Sequence, residues 1–316
     1  MNPVFKIIVV FCLFVTYCCS NAQKENTIME NNKDNISFST DSGLITLNGK
    51  IADNNGQFVL DNGTKKTIID SVFFFANFDV SRFQLQHFEK LIRLYEYTGE
   101  ISIDINGNLF EIKEFQVTNL SRIGINSDAI IGYDVLKTKV FSLNFITQKM
   151  KFCESYSDSN YFIIPFIPTK DDYLKKINVS FFPSNGQNGK TGKFIFDLGG
   201  GSGRDKKIDA LFKHNFINSL KKDIKQLGKG SGKTIRNEAQ STQYQLDSAE
   251  IAGICVKPIM AVTFSMFFPE GEIDPIASEN QDNDCDGFVG WHFFRDCEII
   301  VDFKQNLLLI RNARNE

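Results

Sequence analysis

Asp128-Ala129-Ile130-Ile131-Gly132-Tyr133-Asp134-Val135-Leu136 leads into Val140-Phe141-Ser142-Leu143-Asn144-Phe145. Near the C-terminus, Asp286-Gly287-Phe288-Val289-Gly290-Trp291-His292-Phe293-Phe294 leads into Ile299-Ile300-Val301-Asp302-Phe303. The two blocks align without a gap: Asp128 falls on Asp286, Gly132 on Gly290, Lys137 on Arg295 and Phe145 on Phe303. Upstream of each lies a second matched segment. Gly56-Gln57-Phe58-Val59-Leu60-Asp61-Asn62-Gly63-Thr64 parallels Gly192-Lys193-Phe194-Ile195-Phe196-Asp197-Leu198-Gly199-Gly200. The order is the same in both copies, and the second copy carries the longer intervening loops. A duplicated unit of this kind is the first thing to settle before any other reading of the fold.

Working outward, the elements around these blocks read as strands. Gly43 to Ile51 alternates apolar and polar residues, as a half-buried strand does. Asn55-Gly56 is a hairpin signal leading into Gln57 to Leu60, and Asn106-Gly107 joins Ile101–Ile105 to Leu109–Val117. Arg82 to Tyr95 has apolar residues three and four apart, which predicts a short helix. The polar, Ser- and Asp-rich stretch 154–160 divides the chain into units of 43–153 and 161–316.

The N-terminus decides the compartment. Val4 to Tyr17 is apolar apart from Lys6 and Thr16, and small residues follow at Ser20-Asn21-Ala22. That is the pattern of a secretory signal peptide over 1–22, too short for a comfortable membrane span. A rival reading places a lipid anchor on Cys18 or Cys19. Either way the chain is expected outside the cytoplasm, with 23–42 as a flexible polar leader. Of seven cysteines, Cys153, Cys255, Cys285 and Cys297 lie beyond the signal and allow one disulfide. His87, His214 and His292 lack zinc-ligand spacing to them. A formal charge of -3 without a basic stripe gives no reason to expect nucleic acid. The 31 phenylalanines suffice for two cores.

The ordered motifs resemble the half-domain of the aspartic proteases: an apolar strand, Asp-x-Gly, then two apolar residues with Gly before a closing strand pair. Two fused copies resemble the bilobal pepsin arrangement, with loops nearer those of retropepsin-like bacterial proteins. The resemblance implies an all-β fold with short helices, in which two six-stranded-barrel-like lobes flank a central cleft. It implies a catalytic pair, Asp61 and Asp197, sharing one proton around a water, with a peptide or protein substrate and no metal or cofactor. Asn62, Gly63, Thr64, Leu198, Gly199 and Gly200 would support the two loops. Ile130, Ile131, Gly132, Phe288, Val289 and Gly290 would pack beneath them. A chain that supplies both lobes needs no partner copy, so a monomer is the default.

The sequence departs from that family where Thr or Ser usually follows each Asp and hydrogen-bonds across to the opposite loop. Here the residues are Asn62 and Leu198, and Leu198 has no polar group to offer. An impaired dyad kept as a peptide-binding module is therefore a second reading. Two rivals come from the residues themselves. Asn62-Gly63 between β-rich flanks is also a plain hairpin signal. Asp197-Leu198-Gly199-Gly200-Gly201-Ser202-Gly203 also resembles a phosphate loop of the actin and Hsp70 ATPase fold. Tyr95, Tyr97 and Gly99 sit where a flap would close over a cleft.

Overall fold

The computed structural model of the chain describes residues 35–90, 93–154, 156, 160–170, 172–183, 189–200, 208–220, 224–233, 238–267 and 284–312. The expected signal segment, both candidate lipidation cysteines, residues 155 and 157–159 of the expected linker, and the Gly-rich continuation 201–207 lie outside them.

The first half runs β1 (Ile36–Ser39), β2 (Thr46–Ile51), β3 (Asn54–Leu60), β4 (Ile68–Asp70), helix α1 (Ser71–Asn77), β5 (Gln84–Glu89), β6 (Leu94–Ile105), β7 (Asn108–Thr118), β8 (Ala129–Ile131), helix α2 (Tyr133–Leu136), β9 (Val140–Asn144) and β10 (Lys149–Cys153). The second runs β11 (Phe162–Pro165), β12 (Lys175–Phe182), β13 (Lys190–Phe196), β14 (Ala210–Phe212), helix α3 (His214–Leu220), β15 (Lys225–Lys233), β16 (Glu238–Leu246), β17 (Ser248–Ile251), β18 (Ile254–Val256), β19 (Ile259–Phe267), β20 (Gly287–Val289), β21 (Cys297–Asp302) and β22 (Leu307–Asn312).

Strand pairing reproduces the duplication seen in the sequence. β3 lies antiparallel to β2 and parallel to β8, as β13 lies antiparallel to β12 and parallel to β20. The registers coincide: Val59 faces Ile130 and Leu60 faces Ile131, while Ile195 faces Phe288 and Phe196 faces Val289. β4 sits between β7 and β8, and β14 between β19 and β20, with the same orientations. The β17–β18 hairpin repeats the outer part of the β6–β7 hairpin: β17 pairs antiparallel with β12 as β6 does with β2, and Ala252-Gly253 turns with the same positive φ as Asn106-Gly107. The halves meet where β9 pairs antiparallel with β21, Phe141 facing Val301 and Leu143 facing Ile299. The duplication maps Phe141 to Ile299 and Leu143 to Val301, so this crossing is two-fold symmetric. Tyr133 packs edge-on to Phe303 at 5.1 Å, and its counterpart Trp291 stacks on Phe145 at 5.9 Å.

The phenylalanines fill both halves. Phe74 on α1 is fully buried and contacts Phe78, Phe83, Tyr97 and Phe115. Phe216 on α3 is likewise buried, among Phe181, Phe194 and Phe212.

Four expectations need correction. The helix expected over Arg82–Tyr95 is a 3-10 turn at Val80–Arg82 followed by the β5–β6 hairpin. A bulge between Leu85 and His87 breaks the alternation and mimics helical spacing. Leu85 and Phe88 stay exposed at 49% and 41%, so no buried stripe exists to hold a helix. Asn55-Gly56 does not turn the chain. The turn lies just before β3, with Ala52 at φ 51°, and Gly56 is a strand residue whose Cβ would meet the Phe58 ring and Asp128. Within the expected flexible leader, Ile36–Ser39 forms β1 and pairs with β10 and β2. Finally, Cys153, Cys255, Cys285 and Cys297 are all free thiols. Burial pushes the Cys297 thiol up to about 12. Among the described residues, no helix is long and apolar enough to cross a membrane.

Candidate active site

Asp61 and Asp197 occupy equivalent ends of β3 and β13. Each backbone N–H donates to the strand beside it, Asp61 to the Ile131 carbonyl at 3.1 Å and Asp197 to the Val289 carbonyl at 3.0 Å. Ile131 and Val289 are fully buried. The apolar pairs of the repeated blocks therefore anchor the two loops. Past each Asp the chain folds tightly. Gly63 N–H donates to Asp61 Oδ1 and Gly199 N–H to Asp197 Oδ1, both at 2.9 Å. Neither Asn62 nor Gly63 has the positive φ that an Asn-Gly hairpin turn demands, and Asn62 is fully buried. The plain-hairpin reading of Asn62-Gly63 is thus overturned.

The two carboxyls face each other through the glycines. A Cβ on Gly63 would stand 2.6 Å from Asp197 Oδ1, and one on Gly199 would stand 2.6 Å from Asp61 Oδ1. Only a residue without a side chain permits that approach. The carboxyls also hydrogen-bond to one another. Asp197 keeps some surface open to solvent. Even so, loss of hydration foremost, and then the charge of Asp61 and the bond to it, hold its proton well above the ordinary carboxylate range. The N–H groups of Gly199 and Gly200 oppose that shift without cancelling it. Two carboxyls sharing one proton can take a proton from water with one member and give a proton with the other.

The departures at Asn62 and Leu198 are resolved by one amide. Asn62 Nδ2 donates to the Phe196 carbonyl at 2.8 Å, and its Oδ1 accepts the Leu198 N–H at 2.8 Å. Leu198 contributes its backbone, while its side chain is fully buried. Thr64 Oγ1 donates to Asp61 Oδ2 at 2.9 Å. Gly200, at the matching position, has no hydroxyl to do the same.

Several supporting residues were not singled out from the sequence. Asp128 Oδ2 accepts Gln57 N–H at 2.8 Å, and Asp286 Oδ2 accepts Lys193 N–H at 2.9 Å, tying each repeated block to the strand that carries its Asp. Behind the first loop, Asp134 accepts Thr67 N–H at 3.0 Å and Thr67 Oγ1–H at 2.9 Å, and Thr67 Oγ1 accepts Gly132 N–H at 3.2 Å. Burial raises the Asp134 carboxyl despite those bonds. Behind the second loop the chemistry is ionic. Asp209, 1% exposed, contacts His292 Nδ1 at 2.7 Å, binds the Arg295 guanidinium, and accepts Met260 N–H at 2.7 Å. The gapless alignment carried a signal for this, since it set Asp134 on His292 and Lys137 on Arg295. Of the expected flap residues, Tyr95 stacks on Phe88 at 4.5 Å and Tyr97 is buried against Phe74 and Phe115. Gly99, at φ 152°, makes room for the Phe83 ring. Among the described residues, no group of three His, Cys, Asp or Glu is placed to hold a metal ion.

No protein-family model and no curated protein sequence matches the chain. Among solved structures it is similar to the crystal structure of an aspartic proteinase from Irpex lacteus, with a TM-score of 0.52 and 11% sequence identity, over 88% of this chain and 96% of that one. At that identity the likeness speaks for architecture alone. The actin and Hsp70 alternative is thereby replaced: the chain adopts a mainly β, bilobal, aspartic-protease-like fold.

Proposed function

We propose that the chain is an exported, single-chain aspartic-type peptidase. The observation that carries the reading is the Asp61–Asp197 contact, with each carboxyl seated against the glycine of the opposite loop. Asp61, ionised, takes a proton from the shared water as the water oxygen attacks the scissile carbonyl carbon. Asp197 gives its proton to the carbonyl oxygen, leaving a neutral gem-diol. On collapse, Asp61 returns its proton to the departing amine nitrogen, a gem-diol hydroxyl proton goes back to Asp197, and the C–N bond breaks. The substrate is an extended peptide lying between the lobes, held by strand-like pairing. The lobes are 43–153 and 161–316. Export rests on the apolar run Val4–Tyr17 and the small residues Ser20-Asn21-Ala22.

The test is cleavage of peptide libraries from acid to neutral pH, with and without a pepstatin-like inhibitor. Cleavage lost in Asp61→Asn and in Asp197→Asn supports the reading, and cleavage indifferent to both overturns it. The hydroxyl-free positions Leu198 and Gly200 favour a second reading, a peptide receptor on the same cleft. Peptide binding without turnover is its signature.

A further inference from the structure

We propose that the outer face of β2 and β3, at the end of the first half away from the Asp pair, is a binding site for a neutral saccharide. Such a site does not depend on whether the chain cleaves peptides.

Strand alternation builds it. Leu47 and Phe58 pair across β2 and β3 and are buried, so the next pair, Asn48 and Gln57, points outward. Lys50 and Asn55 form the following outward pair, and Lys50 also faces Asp104 on β6. With Asp128 these residues line a groove of about 820 Å³. Small-molecule sites run from about 300 to 1,000 Å³. Asn55 precedes Asp61 on the same strand, which sets the groove roughly 20 Å from the carboxyl pair at about 3.3 Å per residue.

The duplication supplies an internal control. In the second half the matching pairs are Asn178 with Lys193 and Ser180 with Thr191. There the polar groups satisfy one another. The Ser180 and Thr191 hydroxyls hydrogen-bond at 2.7 Å, and Lys193 Nζ donates to both Asp284 oxygens at 2.7 and 2.6 Å. In the first half the side chains of Asn48, Lys50, Asn55 and Gln57 have no partner among the described residues. Asp128 and Asp104 each commit one oxygen to a backbone N–H, that of Gln57 at 2.8 Å and that of Gly107 at 2.6 Å. Their second oxygens stay open. In the same wall the Asn35 amide oxygen is shielded from solvent without a hydrogen-bond partner, an arrangement that costs stability. One copy closes its polar face on itself, and the other leaves the same face open to an outside molecule.

The uncommitted groups set that molecule's chemistry. Three amides, one ammonium and two carboxylate oxygens call for partners that both donate and accept, as hydroxyls do. Two carboxylates against one lysine disfavour phosphates and nucleic acid. Among the described residues no third acidic, His or Cys ligand joins Asp104 and Asp128 to hold a metal ion. A peptide finds no free strand edge here, because β2 pairs with β1, β3 and β6, and β3 with β2 and β8. The one large apolar residue of the lining, Ile36, is buried, so an apolar ligand gains little. A saccharide carries rows of hydroxyls that can span outward side chains about 5 Å apart on neighbouring strands.

The test titrates the full chain with neutral tetrasaccharides of glucose, mannose and N-acetylglucosamine at millimolar concentration. Calorimetry and backbone amide NMR shifts are the readouts. At least one tetrasaccharide is expected to bind, with shifts centred on Asn48, Lys50, Asn55 and Gln57. Asn48→Ala/Gln57→Ala should weaken that binding about 30-fold, and Asp104→Asn about tenfold, while Asn178→Ala in the second half leaves it unchanged. These side chains face outward, so the variants should fold, which thermal unfolding verifies. The proposal is overturned if none of the saccharides binds, or if binding is indifferent to the groove variants. It is equally overturned if calcium, inorganic phosphate or an acidic peptide shifts those amides and the saccharides do not.

Discussion

Behind the two catalytic-type loops, the halves solve one problem with different chemistry. In the first, Thr67 offers a hydroxyl and an N–H to Asp134, and the group is uncharged apart from one carboxylate. In the second, His292 stands where Asp134 does and meets Asp209, one residue before Ala210, the register match of Thr67; the acid thus lies on the other side of the contact, and Arg295 has joined it. The bond between the two elements survived while its polarity reversed. What duplication preserves is the geometry of the strand crossing. The side chains that satisfy it drift as pairs, since a buried acid that loses its partner is costly.

The sharpest break is at the loops. Asp61→Asn and Asp197→Asn should each reduce peptide cleavage by about 10²–10⁴-fold, the range attached to a positioned proton-transfer group. Peptide affinity, measured separately by calorimetry, should change far less. Equal residual activity in both variants is expected, because the pair works as one unit.

Next comes the contrast behind the loops. Asp209→Ala leaves His292 and Arg295 facing one another without their acid and should cost about 3–5 kcal/mol by urea unfolding. Asp134→Ala takes the acceptor from the Thr67 donors and from the Val135 N–H, all uncharged, and should cost about 1–3 kcal/mol. The double variant Asp209→Thr/His292→Asp, which puts a hydroxyl and an acid on the two sides of this contact, should recover stability relative to Asp209→Ala alone. If Asp134→Ala proves the more damaging single change, the ionic reading of the second half is wrong.

The aromatic hubs sharpen the comparison by their likeness. Phe74→Ala and Phe216→Ala each empty a fully buried ring site and should each cost about 3–5 kcal/mol. Only Phe74→Ala should also loosen the β5–β6 hairpin, because Phe83 and Tyr97 lean on that ring. Faster hydrogen exchange at Tyr95 and Tyr97 amides in that variant alone is the check.

The smallest effect is a pH slope. Asp197 has a raised folded-state pKa, so the folded chain retains a proton there that the unfolded chain gives up near the ordinary Asp value of about 3.9. That contribution to stability is complete below about pH 3.9 and disappears as pH rises through the folded value. Unfolding free energies measured across this window should fall with pH at this group, and Asp197→Asn should flatten that component. A slope unaffected by the substitution would show that the carboxyl is not buried as described.

Much of this was legible in advance. The gapless match of Asp128–Phe145 to Asp286–Phe303 revealed the duplication, and the strand registers follow it residue for residue. The glycines at 63 and 199 marked tight turns that offer N–H groups to the carboxyls, and each donates to the Asp of its own loop. Asn106-Gly107 turned as read, with both residues at positive φ. By contrast, Arg82–Tyr95 misled because a bulge shifts the phase of a strand to look like a helix. Asn55-Gly56 misled because its glycine clears space for Phe58 and Asp128 instead of turning the chain. Asn62 looked like a weakened lock because a side chain's hydrogen-bonding capacity can be read from its type, but its partners cannot.

Local order, repetition and close-approach glycines belong to the chain as written, because strand patterning and steric exclusion act on neighbouring residues. The meeting of the carboxyls, the reach of Asn62 to residues 134 and 136 positions away, and the exchange of Asp134 for Asp209 across a packed contact came only with the folded structure. Such partners are chosen by the burial of distant strands against one another, and no spacing along the chain records that choice.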